Sequence, residues 1–232
     1  MEIGGGFGAL TDVLVDRHKG LYVLEPDPRL YGYLLERFWG KEGIVIEKKD
    51  FLKVFFHEYG RGPNEKFRII GNLPYAVTSP ILLHLIDQRD FIQEAVVTVQ
   101  KEVAERLTAK PKTKAYGSLS CFLQCFTSCE SLFQIPKTAF YPRPKVDSTV
   151  VRLRFLEKPS VSPKNLEWMI RVVRTGFGKR RKILANALTD LGKDYTKERL
   201  LATFEALGFS KNVRAEELKL QDFSRLSDGL LH

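Results

Sequence analysis

The segment Glu2-Ile-Gly-Gly-Gly-Phe-Gly8 constrains the fold of this chain more than any other. An apolar strand end runs into closely spaced glycines and then into the helical spacing of Leu10, Val13 and Leu14, so the glycines occupy a strand-to-helix turn. Residues without Cβ let the backbone approach a ligand closely, at the carboxyl edge where open α/β sheets bind ligands. The spacing is G-x-G-x-G, one residue shorter than the dinucleotide fingerprint G-x-G-x-x-G. A turn that only reverses the chain and a nicotinamide or flavin site both stay open at this point.

The following residues alternate short apolar runs with amphipathic stretches, as a parallel sheet covered by helices requires. Expected strands are Leu21–Leu24, Ile44–Ile46, Phe67–Ile70, Ala95–Val99, Leu132–Ile135 and Val150–Phe155. One helix places Leu30, Leu34, Leu35 and Phe38 on one face behind Pro28, and another covers Ile81–Ile86. A Pro- and Ser-rich break, Glu157-Lys-Pro-Ser-Val-Ser-Pro163, separates this part from purely helical periodicity in Leu166–Phe177, Arg181–Leu191, Lys197–Leu207 and Phe223–Leu230. The expectation is an α/β domain over residues 1–157 and a small all-helical domain over residues 158–232.

Charge narrows the partner class. Residues 159–232 carry 14 basic against 9 acidic side chains, whereas residues 1–158 carry 23 against 19, so the positive excess is densest in the shorter helical part. That balance favours a polyanion. No apolar run is long enough for a bilayer span, and the start lacks the pattern of a secretory signal, so the expectation is a soluble cytoplasmic protein with no membrane partner. Cys121, Cys125 and Cys129 share a helix face if a helix runs that far; without a nearby His or fourth Cys they read as small buried thiols and not as a metal site.

Two acidic residues sharpen the nucleotide reading. Glu25 closes the second strand, about 20 residues after the glycines, where a carboxylate can accept both ribose hydroxyls. Asp50 follows the third strand, where it can accept from the exocyclic amine of adenine, with Phe51 available to pack on the base. An adenosine site of this kind fits NAD and S-adenosylmethionine equally well. The choice depends on Gly71-Asn-Leu-Pro-Tyr75, after the fourth strand. An adenine amine has its lone pair delocalised into the ring, so attack on a sulfonium methyl needs acceptors that hold its hydrogens and favour pyramidal nitrogen. The Asn72 side-chain oxygen and the Leu73 carbonyl suit that role, with Pro74 fixing the loop and Tyr75 stacking on the base.

With these residues in view, the chain resembles the ribosomal RNA adenine N6,N6-dimethyltransferase family, specifically the small-subunit branch. The resemblance rests on Glu2-Ile-Gly4, Gly71-Asn-Leu-Pro-Tyr75, Gln100-Lys-Glu-Val-Ala-Glu-Arg106, Ala115-Tyr-Gly-Ser-Leu119, Phe140-Tyr-Pro-Arg-Pro-Lys-Val-Asp-Ser148, Phe177-Gly-Lys-Arg-Arg-Lys182 and Arg214-Ala-Glu-Glu-Leu218, in the family's order. It implies a Rossmann-like methyltransferase sheet with S-adenosylmethionine bound by Gly4, Glu25, Asp50 and Asn72, to which the reading of the residues adds Gly6 and Phe51. Tyr75 and Phe140 then flank the target base. The implied reaction dimethylates N6 of two adjacent adenosines in the 3′-terminal hairpin loop of small-subunit rRNA during ribosome biogenesis. The implied assembly is a monomer acting on a pre-ribosomal small subunit. A large-subunit methyltransferase and a non-catalytic RNA- or transcription-associated relative are the alternatives. Gly5, Ala76 and Phe51 depart from residues common in the family.

Two basic segments complete the reading. Lys112 and Lys114 lie in the loop Lys110-Pro-Lys-Thr-Lys114 and offer phosphate contacts. Lys179, Arg180, Arg181 and Lys182 are expected at a helix start, which the helix dipole disfavours for cations and an RNA backbone would compensate. Only Met1, Glu2 and Ile3 precede Gly4, fewer than an ordinary central strand, so the sequence and the family pattern together predict a truncated first strand, weak cofactor binding and poor turnover.

Overall fold

The computed structural model describes the chain apart from residues 18–19, 60–64, 180–181 and 232. Two units emerge: Met1–Ala104 with Ser128–Glu157, and Glu105–Thr127 with Lys158–His232. The elements in chain order are β1 (Glu2–Ile3), α1 (Thr11–Val15), β2 (Leu21–Leu24), α2 (Pro28–Arg37), β3 (Ile44–Glu47), β4 (Phe67–Asn72), α3 (Thr78–Asp87), β5 (Ile92–Gln100), α4 (Lys101–Leu107), α5 (Ser118–Phe126), β6 (Thr127–Ile135), β7 (Ser148–Phe155), α6 (Leu166–Gly178), α7 (Leu184–Leu188), α8 (Lys197–Leu207) and α9 (Leu220–Leu230).

In the first unit the strands form a sheet of order β3-β2-β1-β4-β5-β7-β6. Strands β1 to β5 run parallel to their neighbours, as the alternating pattern predicts. The far edge differs, because β7 pairs antiparallel with β5, Glu94 opposite Arg154 through Gln100 opposite Ser148. The parallel pairing that the alternation predicts stops there. β6 and β7 are neighbours joined by the loop 136–147, which holds no crossover α-helix.

Local chemistry sets the helix positions. Asp27 caps α2 by accepting from the Arg29 and Leu30 N–H groups at 2.7 and 3.3 Å, and Pro28 follows at the first helical position. The α2 face then buries Leu34 and Phe38 against Leu21 and Val23, each contributing about 1.5–3 kcal/mol relative to exposure. Leu35, expected on that face, points to solvent. Gly71 is required by close strand contact: a Cβ there would stand 2.8 Å from the Ile3 carbonyl oxygen.

The second unit is helical. Its core includes Leu123, Met169, Val172, Leu184, Leu188, Phe204, Phe223 and Leu226, all buried. Asn165 caps α6 through the Trp168 N–H at 2.9 Å, and a left-handed Gly208 ends α8. A Cβ at Gly176 would meet Leu184 Cδ1 at 2.8 Å, so this glycine lets α6 and α7 approach.

The sequence reading put residues 105–127 with the sheet; the structure groups them with the helices. Physical ties explain the grouping. Tyr116 packs edge-on against Phe177 at 5.8 Å, the Arg174 guanidinium lies over Phe122 at 5.1 Å, and the Ser160 N–H donates to the Cys125 carbonyl at 2.8 Å. Helix α5 ends at Phe126, so Cys129 belongs to β6 and the three cysteines do not share a helix face. Cys121 and Cys125 are buried, and burial pushes the Cys121 thiol up to about 12, which keeps it protonated. Among the described residues no cluster suits a metal ion and no helix is long and apolar enough to cross a membrane.

Candidate active site

The sheet order reverses between β2 and β4 on either side of β1, the switch point where open α/β sheets place ligands. Register aligns three sequence-predicted residues there. Ile3 lies opposite Leu24 on one side and Gly71 on the other, so Gly4, Glu25 and Asn72 follow at the carboxyl ends of adjacent strands. Gly4 and Gly6 have φ of 73° and 54°, left-handed values that favour glycine, and nothing lies within 4 Å of a Cβ built at either. The turn therefore leaves an open cradle above its backbone.

Glu25 is 4% exposed and braces this turn. One carboxylate oxygen accepts from the Gly6 N–H at 2.8 Å and the other from the Asp27 N–H at 3.0 Å. Each oxygen keeps a second lone pair, enough for the two hydroxyls of a ribose. Beneath the turn, Glu2 is buried and accepts from the Thr11 hydroxyl at 2.7 Å; burial pushes its carboxyl up to about 7, partly offset by that bond. Sequence reasoning missed Glu2 as a titrating group because its burial depends on strands distant in the chain.

Asp50 is exposed, and its side chain accepts from the Leu52 N–H at 3.0 Å, leaving acceptor capacity for a ligand amine. Phe51 is corrected. Its ring is 3% exposed, edge-on to Phe56 at 6.1 Å and to His84 at 5.3 Å, so it is a core side chain with little surface left for a base. Gly5 also has a structural reason: a Cβ there would meet Val23 Cγ1 at 2.6 Å and Leu34 Cδ1 at 2.7 Å.

Next to Asn72 opens a cleft of about 250 Å³ lined by Asn72, Leu73, Pro74, Tyr75, Phe140, Tyr141, Pro142 and Pro144. All five residues that the sequence assigns to the reaction meet in it. The Leu73 N–H donates to the Thr98 carbonyl at 3.0 Å and its side chain is buried, which fixes the loop on β5. The Pro74 carbonyl is taken by the Val77 N–H at 3.1 Å and the Thr78 hydroxyl at 3.0 Å. By contrast, among the described residues the Asn72 side chain and the Leu73 carbonyl hold no hydrogen bond. The Tyr75 hydroxyl pairs with the Ser148 hydroxyl at 2.8 Å, joining this loop to the start of β7. Asp147 closes the facing loop: its carboxylate accepts from the Lys137 N–H at 2.9 Å and its carbonyl from the Lys101 N–H at 3.0 Å. Ser148 and Tyr141 had been visible only as members of the Phe140-to-Ser148 motif.

The ribosomal RNA adenine dimethylase family matches residues 1–230. The chain belongs to this family. Among its relatives is the Ribosomal RNA small subunit methyltransferase A of Streptococcus equi subsp. zooepidemicus, 37% identical over 235 residues, covering 99% of this chain and 81% of that protein. The protein of the same description from Moorella thermoacetica is 36% identical over 239 residues, covering 100% and 82%. The crystal structure of a dimethyladenosine transferase from Plasmodium falciparum superposes with a TM-score of 0.79 at 25% identity, over 97% of this chain and 86% of that one. That of the 23S rRNA methyltransferase ErmE gives 0.70 at 27%, over 99% and 89%. Membership in the adenine dimethylase family makes the sheet a Rossmann-like methyltransferase sheet, as the glycine turn and the strand pattern predict.

The basic segments lie in the helical unit. Lys110, Lys112 and Lys114 are exposed. Lys112 holds a left-handed φ of 68° while its N–H donates to the Glu216 carbonyl at 2.7 Å, a conformation costing about 1–2 kcal/mol outside glycine. In the second segment Arg180 and Arg181 lie outside the described residues. The expected helix start is corrected: Lys179 caps the C-terminus of α6 and Lys182 precedes α7, which begins at Leu184. At a helix C-terminus the dipole favours a cation. Lys179 also pairs with Asp190 at 2.6 Å, leaving the exposed Lys182 the more available of the two.

Proposed function

We propose that this chain transfers methyl groups to N6 of two adjacent adenosines in the 3′-terminal hairpin loop of small-subunit rRNA, using S-adenosylmethionine, and that it does so in the cytoplasm as a monomer on a pre-ribosomal small subunit. The observation that carries the reading is the pair of unengaged acceptors, Asn72 and Leu73, inside a cleft walled by Tyr75 and Phe140. The small-subunit assignment is supported by the Ribosomal RNA small subunit methyltransferase A proteins to which the chain is 36–37% identical.

The donor set fits the cofactor: an open glycine cradle at Gly4 and Gly6, a carboxylate at Glu25 with spare lone pairs for hydroxyls, and Asp50 for an amine. When bound, S-adenosylmethionine supplies an electrophilic methyl group on a sulfonium. Tyr75 and Phe140 hold the extruded adenine between them, which limits the unstacking penalty to a few kcal/mol for an unpaired loop base. The Asn72 oxygen and the Leu73 carbonyl accept the two N6 hydrogens and draw the nitrogen toward a pyramidal shape, freeing its lone pair. Because the proton becomes acidic only as the new N–C bond forms, an amide and a carbonyl suffice and the proton leaves to water. Thr98 and Ser148 keep the acceptors in register by holding Leu73 and Tyr75.

The test maps dimethylated adenosines in rRNA from cells carrying and lacking the gene. Loss of dimethylation at two adjacent small-subunit adenosines is the expected outcome. Loss confined to large-subunit rRNA would assign the chain to the other branch, and no change in either RNA would overturn the enzymatic reading.

A further inference from the structure

Tyr141 is 98% exposed, the most accessible large apolar side chain among the described residues, yet it lines the acceptor cleft. Its neighbour Phe140 is half-buried and faces the same cleft, so the two rings stand in series from the interior to the rim. The loop that carries Tyr141 is restrained. Pro142 and Pro144 limit its backbone, and Asp147 ties its far end to Lys137 and Lys101. Arg143 and Lys145 are exposed on the same loop and form no ion pair among the described residues. A bare aromatic ring followed on the same restrained loop by two exposed cations, at the mouth of a base-sized cleft, has the composition of a single-strand binding platform.

We infer that Tyr141 stacks on the unpaired base next to the target adenosine, while Arg143 and Lys145 neutralise the flanking phosphates. This rests on the RNA reading above and adds the substrate feature that the cleft alone does not supply. An adenosine bound between Tyr75 and Phe140 brings its chain neighbour to the cleft rim, and in a substrate with two adjacent loop adenosines that neighbour is an unstacked purine. An RNA strand fits better than an apolar protein segment, because the ring shares its loop with two exposed cations and every base presents a π face. Tyr141 positions the substrate and takes no part in the reaction.

The experiment uses a hairpin RNA with two adjacent loop adenosines, and versions made abasic on the 5′ or the 3′ side of the target. Tyr141→Ala is expected to raise KM for the hairpin about tenfold with kcat within about twofold, and Tyr141→Phe to keep the wild-type value. Removing one flanking base should cost the wild type a similar factor and cost Tyr141→Ala nothing further. Full additivity of the two losses, or a lowered kcat with unchanged KM, would overturn the inference while leaving the methyltransferase reading intact. Binding is followed in parallel with 2-aminopurine at the flanking position. A fluorescence change that Tyr141→Ala abolishes and Tyr141→Phe retains supports the platform whether or not turnover is measurable. Binding without such a change rejects it, and failure of the hairpin to bind at all rejects both the platform and the RNA reading.

Discussion

The acceptor cleft and the basic loops are held in opposite ways. At the cleft, Leu73 is buried and bonded to Thr98, Tyr75 is bonded to Ser148, and the free acceptors project from a strand end and a fixed loop. Lys110, Lys112, Lys114 and Lys182 are by contrast exposed residues outside the helices and strands. The difference follows from the interactions themselves. Hydrogen bonds that shape a transition state fail with sub-ångström displacement, whereas attraction to a phosphate chain tolerates movement and sums over many contacts.

Single substitutions can break this contrast. The largest effect is expected at the cleft: Asn72→Ala should slow methyl transfer about a hundredfold or more, roughly 2.7 kcal/mol, with RNA affinity nearly unchanged. Single-turnover rates near wild type would remove Asn72 from the reaction. Gly71→Ala follows, because its Cβ would stand 2.8 Å from the Ile3 carbonyl and must push β1 from β4. A loss of about 1–3 kcal/mol in urea unfolding is expected, and full stability would show that the strands part without penalty.

Glu2→Gln sharpens the contrast through pH. The native carboxyl titrates near 7, above its ordinary value of 4.5, because burial disfavours the charge. Below 4.5 the native and unfolded states are both protonated and the penalty is absent; it grows as pH rises between these values and is complete above 7. Gln keeps an acceptor for Thr11, so the variant should be more stable above pH 7 by on the order of 1 kcal/mol, with the gain fading toward pH 4. Thermal melts at pH 8 and pH 4 that shift equally would contradict it. The smallest effect belongs to the loops. Lys112→Gln or Lys182→Gln should weaken RNA binding only a few-fold and flatten its log–log salt dependence by about 0.7–0.9 per lost contact, leaving the single-turnover rate intact. A rate loss at either lysine comparable with that of Asn72→Ala would erase the distinction between the two regions.

Legibility in the sequence divides along the same line. Glu25, Asn72 and the glycine turn were readable because strand ends and backbone-accessible turns leave local signatures, and Phe140 because it sits in a motif. Phe51 was misread because nothing local distinguishes a ring facing a ligand from one facing Phe56 and His84. The antiparallel β7 and the grouping of residues 105–127 with the helices were hidden for a related reason. Strand direction and unit membership are set by partners far along the chain, whereas periodicity reports only which face of an element is apolar. The end of α6 was read within one residue, but the next helix was expected from Arg181 and begins at Leu184, since its N-cap Ile183 offers no capping side chain to mark the start.

The bond between Tyr75 and Ser148 also sets a timetable. Phe140 reaches the cleft on the loop that leads into β7, and β7 lies between β5 and β6 in the finished sheet. During synthesis the glycine turn, Glu25 and Asn72 emerge well before that strand, and long-range pairing is the slow part of assembly. A nascent chain can therefore form the nucleotide end of the sheet while its reactive cleft still has only one wall. On the proposed roles of Tyr75 and Phe140, methyl transfer becomes possible only after β7 has docked, which makes activity a late reporter of folding.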